Sequence, residues 1–69
     1  MPIDPNTPPI DILRMAIERE KAAHAFYEEA AVVAQHPATK QTLMEMAEEE
    51  ERHVHRLEEQ LDKFFYQDN

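Results

Sequence analysis

The 69-residue chain contains no glycine, no cysteine and no tryptophan. Without cysteine there is no disulfide framework and no thiolate metal site, and the redox compartment stays open. Without glycine no turn can rest on a residue that takes positive φ freely, so any chain reversal must be built from ordinary L-residues. No run of about 18 apolar residues occurs, which excludes a transmembrane helix. Basic residues are scarce: 7 Lys and Arg stand against 15 Asp and Glu, for a net charge of −8. A surface of that sign repels nucleic acid and anionic lipid and attracts cations, so neither nucleic acid nor a membrane is an expected partner. The opening "MPIDPNTPPID" has no basic n-region and no apolar h-region. A secretory signal is therefore not expected. The expected location is cytoplasmic, including the inside of a protein compartment loaded from the cytoplasm.

A core of this size rarely supplies more than about 3–5 kcal/mol unaided. With disulfides excluded, metal binding and self-association are the remaining supports. Four of the five prolines lie in the first nine residues, so residues 1–9 read as a Pro-rich arm. Residues 10–66 read as an all-α helical hairpin, and residues 67–69 as a tail. The first helix is expected over about 8–35, capped by Asn6 or Thr7, with Pro8 and Pro9 in its first turn where missing N–H groups cost little. Pro37 inside a helix would lose a hydrogen bond and clash with the carbonyl of Val33. It is better placed as the first residue of a second helix, over about 37–66, after a turn at 35–37. One long helix kinked at Pro37 is the competing reading.

Both helices carry an inner stripe in steps of three and four. On the first it runs Leu13, Ile17, Glu20, His24, Tyr27, Ala31 and Ala34, widened by Ala16, Ala23 and Ala30. On the second it runs Leu43, Met46, Glu50, His53, Leu57, Leu61 and Phe64, flanked by Ala47, Val54 and Phe65. Each stripe holds charge, and an inward carboxylate must be paired, protonated or metal-bound. Glu50 and His53 are three apart, so they project from adjacent turns about 60° apart and can reach one cation. A pivot between His36 and Pro37 makes Glu20 level with His53 and Ala23 level with Glu50. Glu20, Glu50 and His53 then share one layer within about 5 Å, one helical pitch. The competing reading is a coiled-coil hairpin whose charges form salt bridges across the seam, an interaction module without chemistry.

One hairpin offers only two carboxylates and one imidazole, and leaves an apolar stripe of about 40 Å on each helix. Two hairpins about a two-fold axis cure both deficits. They close a four-helix bundle with four Glu and two His, the ligand set of di-iron and di-manganese carboxylate bundles. Oxygen-rich sites with few imidazoles suit iron or manganese more than zinc or copper.

"AIEREKAAHAFYEEAA" (Ala16 to Ala31) and "LMEMAEEEERHVHRLEEQL" (Leu43 to Leu61) resemble the rubrerythrin branch of the ferritin-like superfamily. The shared features are Glu20 seven residues before Tyr27 in "FY", and "AEEEERH" closing on Glu50-x-x-His53. The resemblance implies that Glu20 is a bridging carboxylate, that Glu50 and His53 are the second helix's metal ligands, and that Tyr27 stands near the metals. Rubrerythrins hold four helices in one chain and this sequence has two, so it is similar in plan to the encapsulated ferritins, whose di-iron site forms between subunits. Their cargo peptide usually contains Gly, whereas this sequence ends "FFYQDN". An encapsulin shell is a possible partner, but no cargo peptide is seen. Rubrerythrins often add a Cys-bound iron domain, and no Cys stands here to supply that electron route.

The resemblance implies a homodimer, or a higher oligomer, with two iron ions per dimer. The implied reaction is ferroxidase chemistry for iron detoxification or storage, oxidising Fe(II) with O₂ or peroxide. Peroxide reduction ranks second because it needs a continuing electron supply. His24, one turn from Glu20, is expected to hydrogen-bond a ligand carboxylate or to fill space beside it. His55 is expected to face solvent, and His36 has no assigned role. Glu48, Glu49 and Glu51 read as a solvated face, Met15, Met44 and Met46 as packing, and Phe64, Phe65 and Tyr66 as an apolar cap or contact.

Overall fold

The computed structural model describes residues 3–66, without the side chain of Tyr66. It contains two helices, α1 (Pro9–Val33) and α2 (Pro37–Tyr66), packed against each other as a hairpin. No strand occurs among the described residues. The expected tail at 67–69 lies outside them. The single kinked helix is thus replaced by two helices joined by a short reversal.

The start of α1 differs from expectation. Its cap is Pro8, with no side-chain cap hydrogen bond. Pro8 still contributes its carbonyl, which accepts from the Ile12 N–H at 3.1 Å. Asn6 and Thr7 are used one turn earlier. The Thr7 hydroxyl accepts from the Asp4 N–H at 3.0 Å, and the Asp4 carboxylate accepts from the Asn6 N–H at 2.7 Å. Short polar side chains of this kind compete for nearby backbone groups, and here they build a turn instead of a cap. Asp11 sits in the first turn of α1, where a carboxylate suits the helix dipole.

The reversal is made without any positive-φ residue. Ala34 leaves the helix in an extended conformation, φ −65° and ψ 131°, while its N–H still donates to the Ala30 carbonyl. The carbonyl of Ala31 is met by Nζ of Lys40 at 2.6 Å, in a part-buried contact. A lysine on α2 therefore satisfies a C-terminal carbonyl of α1, the task a glycine turn commonly performs through backbone N–H groups. The same bond ties the two helices together beside the turn.

Packing is thin. Among the described residues only Ile17, Ala31 and Ala47 are buried, while Leu13, Leu43, Val54, Leu57 and Leu61 are half-buried. The chain measures 49 × 28 × 13 Å with a radius of gyration of 15.4 Å. A compact domain of this length would have a radius near 11 Å. Its accessible surface is 5614 Å², against about 4,500 Å² for a compact monomer of this mass. Two side-by-side helices can bury one seam and no more, so much of each apolar stripe remains open. His53 and Phe64 were expected inward, yet both are exposed in the single chain. Both lie on the flank of the α2 stripe, where one neighbouring helix cannot cover them.

Candidate metal centre

The trio of Glu20, Glu50 and His53 is assembled by the hairpin itself. Nδ1 of His53 lies 3.5 Å from Oε2 of Glu20 across the seam and 3.7 Å from Oε2 of Glu50 on its own helix. One ligand atom from each residue falls within 4.8 Å of the others. Exposure rises outward through the group: the side chains are 17% exposed for Glu50, 31% for Glu20 and 50% for His53. The trio thus has a buried floor and an open front.

These separations bear on the choice between a salt-bridged seam and a shared cation. Hydrogen bonds between charged N and O groups run about 2.7–2.9 Å, so contacts of 3.5 and 3.7 Å are too long to be good ones. Two ligands held about 2.1 Å from one ion stand about 3.0–3.5 Å apart when cis and about 4.2 Å apart when trans. The two separations from His53 are near the cis spacing, while the group as a whole spans up to 4.8 Å. The floor gives a second argument. Oε2 of Glu50 is fully buried and has no hydrogen-bond partner. A buried carboxylate oxygen without a partner is costly, and a cation beside His53 and Glu20 would satisfy it. The donor set of two carboxylates and one imidazole fits iron or manganese. In that role Glu50 and Glu20 would supply negative oxygens from opposite helices, and His53 would supply a neutral nitrogen at the open edge.

His24 departs from its expected place. It does not turn towards Glu20 or Glu50. Its Nε2 lies 3.6 Å from Oε2 of Glu28 and 3.9 Å from Oε2 of Glu51. The cause is helical geometry: each step of four residues advances about 40° around the axis. Glu20, His24 and Glu28 therefore wind from one side of the seam to the other. Glu51 was read as part of a solvated face. It is exposed, but it also answers His24 across the hairpin. The His24–Glu28 spacing of four was legible in sequence, whereas Glu51 could be found only from the fold.

Tyr27 is half-buried on α1 and its ring meets Phe26 edge-on, with centroids 5.5 Å apart at 68°. His55 is exposed beside Glu58, at 4.0 Å. His36 is exposed in the turn, and its carbonyl accepts from the Lys40 N–H at 2.9 Å. Met15 and Met46 are half-buried and Met44 is 48% exposed. Phe64 and Phe65 are exposed near the end of α2. No helix of the described residues is long and apolar enough to cross a membrane.

No curated protein and no solved structure matches the chain. The Rubrerythrin family profile matches residues 11–69, a span that takes in all of α1 but its first two residues, the described length of α2 and the whole trio. With that match over most of its length, and with Glu20, Glu50 and His53 gathered on one hairpin, the chain belongs to the rubrerythrin family.

Proposed function

We propose that two copies of this hairpin pack face to face into a four-helix bundle that binds iron and oxidises Fe(II). The observation that carries the reading is the buried, unpartnered Oε2 of Glu50 beside Glu20 and His53. In a single chain this half-site faces outward, and its apolar surroundings are uncovered. A second copy would cover the stripes and add another Glu20, Glu50 and His53. The combined set, four carboxylates and two imidazoles, matches that of di-iron bundles.

In this reading Fe(II) is the substrate. Two Fe(II) ions give up one electron each, O₂ takes both with two protons, and the products are two Fe(III) and H₂O₂. The protein's part is placement. Glu50 holds a carboxylate on the buried floor, Glu20 brings a second from the opposite helix, and His53 closes the group at the edge. Carboxylates suit the task because they accept the higher charge of Fe(III) and can shift between one and two metal contacts. Tyr27, half-buried two turns from Glu20 on the same face, is read as the tyrosine near the metals that the family resemblance implies.

The test is an anaerobic Fe(II) titration followed by mass measurement under native conditions and then exposure to air or to H₂O₂. Uptake of two irons per dimer, with rapid oxidation that disappears in Glu50→Ala, supports the reading. A dimer that takes up no iron and oxidises none above buffer overturns it, and leaves an interaction module as the better account.

A further inference from the structure

The two helices differ on the sides they turn away from each other. The outer side of α2 is charged at every step of three or four, through Glu45, Glu49, Arg52, Arg56, Glu59 and Lys63, all of them exposed. Such a side needs no cover. The outer side of α1 is built otherwise. Phe26 stands about 180° around α1 from the buried Ile17, and it is 61% exposed. Ile12, Met15, Ala22 and Val33 fall on the same side, and Arg19 and Glu29 fill the two remaining places. Together they alternate in steps of three and four from residue 12 to residue 33. That is the spacing of a helix that packs a second helix along a seam. Met15 is half-buried, but Val33 is 75% exposed and Ile12 37%.

We infer that this side of α1 is a contact between two copies of the chain, with their α1 helices antiparallel about a two-fold axis level with His24. The order of the residues carries the inference. Met15 and Val33 lie nine residues on either side of that level, Arg19 and Glu29 five, and Ala22 and Phe26 two. Antiparallel pairing therefore sets Met15 against Val33, Arg19 against Glu29, and the small Ala22 against the large Phe26, each twice by symmetry. A parallel pairing would set Arg19 against Arg19 and Glu29 against Glu29, which is costly at a seam. Charge complementarity thus selects both the occupant and its direction. A strip that meets an unrelated protein has no need to match itself when reversed.

The strip carries one charge of each sign, on a chain of net charge −8. Two copies repel one another over most of their surface, and least here. Seven side chains per copy fall well short of the roughly 20–30 of a standard interface, so the contact holds only when chains are concentrated. Phe26 stands about 120° around α1 from Glu20. The contact therefore leaves the metal group free, and it does not depend on the oxidation chemistry proposed for the trio. If pairs form through the trio's side, this second two-fold contact links those pairs into assemblies with an even number of chains.

Sedimentation velocity of the full chain at rising protein concentration tests the contact. The native chain should form a larger species reversibly as its concentration is raised. Arg19→Glu brings like charges together in the Arg19–Glu29 layer and should weaken that step about tenfold or more. Glu29→Arg alone should do the same. Arg19→Glu combined with Glu29→Arg exchanges the two charges and should restore native association. Both positions are exposed, so far-UV circular dichroism should not change. Direction is read by cross-linking, since the chain has no Cys of its own. In a mixture, Ala22→Cys and Phe26→Cys chains should cross-link to each other in preference to their own kind. The Arg19 dependence should persist in concentrated Met46→Glu, where pairing through the trio's side is blocked, so failure of one contact is read apart from failure of the other. The inference is overturned if concentration produces no larger species, a result that leaves the strip to a different protein. It is equally overturned if the single charge variants associate like the native chain, if the double variant does not recover, or if each cysteine variant joins its own kind.

Discussion

Nδ1 of His53 on α2 lies 3.5 Å from Oε2 of Glu20 on α1, and Glu50 lies just beneath the pair. The relationship joins residues 33 positions apart in the chain. It exists because the turn at Ala34–His36 sets the register of the helices. A shift of one residue in either helix would rotate one partner by about 100° and dissolve the group.

Glu50 is expected to trade stability for binding. Its Oε2 is buried and has no hydrogen-bond partner. Replacement by Leu removes that desolvation cost and adds apolar contact. In chelator, Glu50→Leu should raise the thermal midpoint by several degrees, corresponding to roughly 1–2 kcal/mol. The same variant should fail to bind iron. A lowered midpoint in chelator would show that the carboxylate makes a favourable contact in the metal-free protein.

Metal binding should stabilise the folded protein by mass action. At a hundredfold excess over Kd, one site contributes about 2.7 kcal/mol, or a rise in midpoint of roughly 10–20 °C for a domain of this size. Mn(II) is a useful probe because air does not readily oxidise it. The rise should appear in the native protein and vanish in His53→Ala. An equal rise in both would place the stabilising ion elsewhere.

Self-association should depend on the trio's side of the hairpin. Met46 is half-buried and lies about 20° around α2 from His53, two turns nearer the hairpin turn. Met46→Glu places a charge where a second hairpin would pack. The native chain should sediment as a dimer and the variant as a monomer. An unchanged dimer would put the contact on another face.

Lys40 should matter to the hairpin more than a surface lysine does. Its Nζ meets the Ala31 carbonyl at 2.6 Å in a part-buried position. Lys40→Met keeps most of the packing and removes the donor. The expected loss is about 1–3 kcal/mol, the cost of leaving a part-buried carbonyl unpaired. It is measured by denaturant unfolding at fixed protein concentration. A change below a few tenths of a kcal/mol would mean that water replaces the lysine at no cost.

The division between sequence and structure follows from the range of the forces involved. Helical periodicity is local, so the stripes on α1 and α2 and the break at Pro37 were legible from spacing alone. The hairpin pivot also made Glu20, Glu50 and His53 level by simple counting, and the structure brings those three together. Other features needed the fold. Asp4 drew Thr7 into a turn ahead of α1, a local competition that propensities for capping do not resolve. His24 looked inward by its spacing, but a stripe in steps of four drifts around the helix, and only the packed pair shows on which side of the seam each residue falls. The sequence alone determined two amphipathic helices with acidic residues set inside their apolar stripes. The tertiary structure decided which acids share a site, because that depends on the register of one helix against the other, and register is fixed by contacts between residues far apart in the chain.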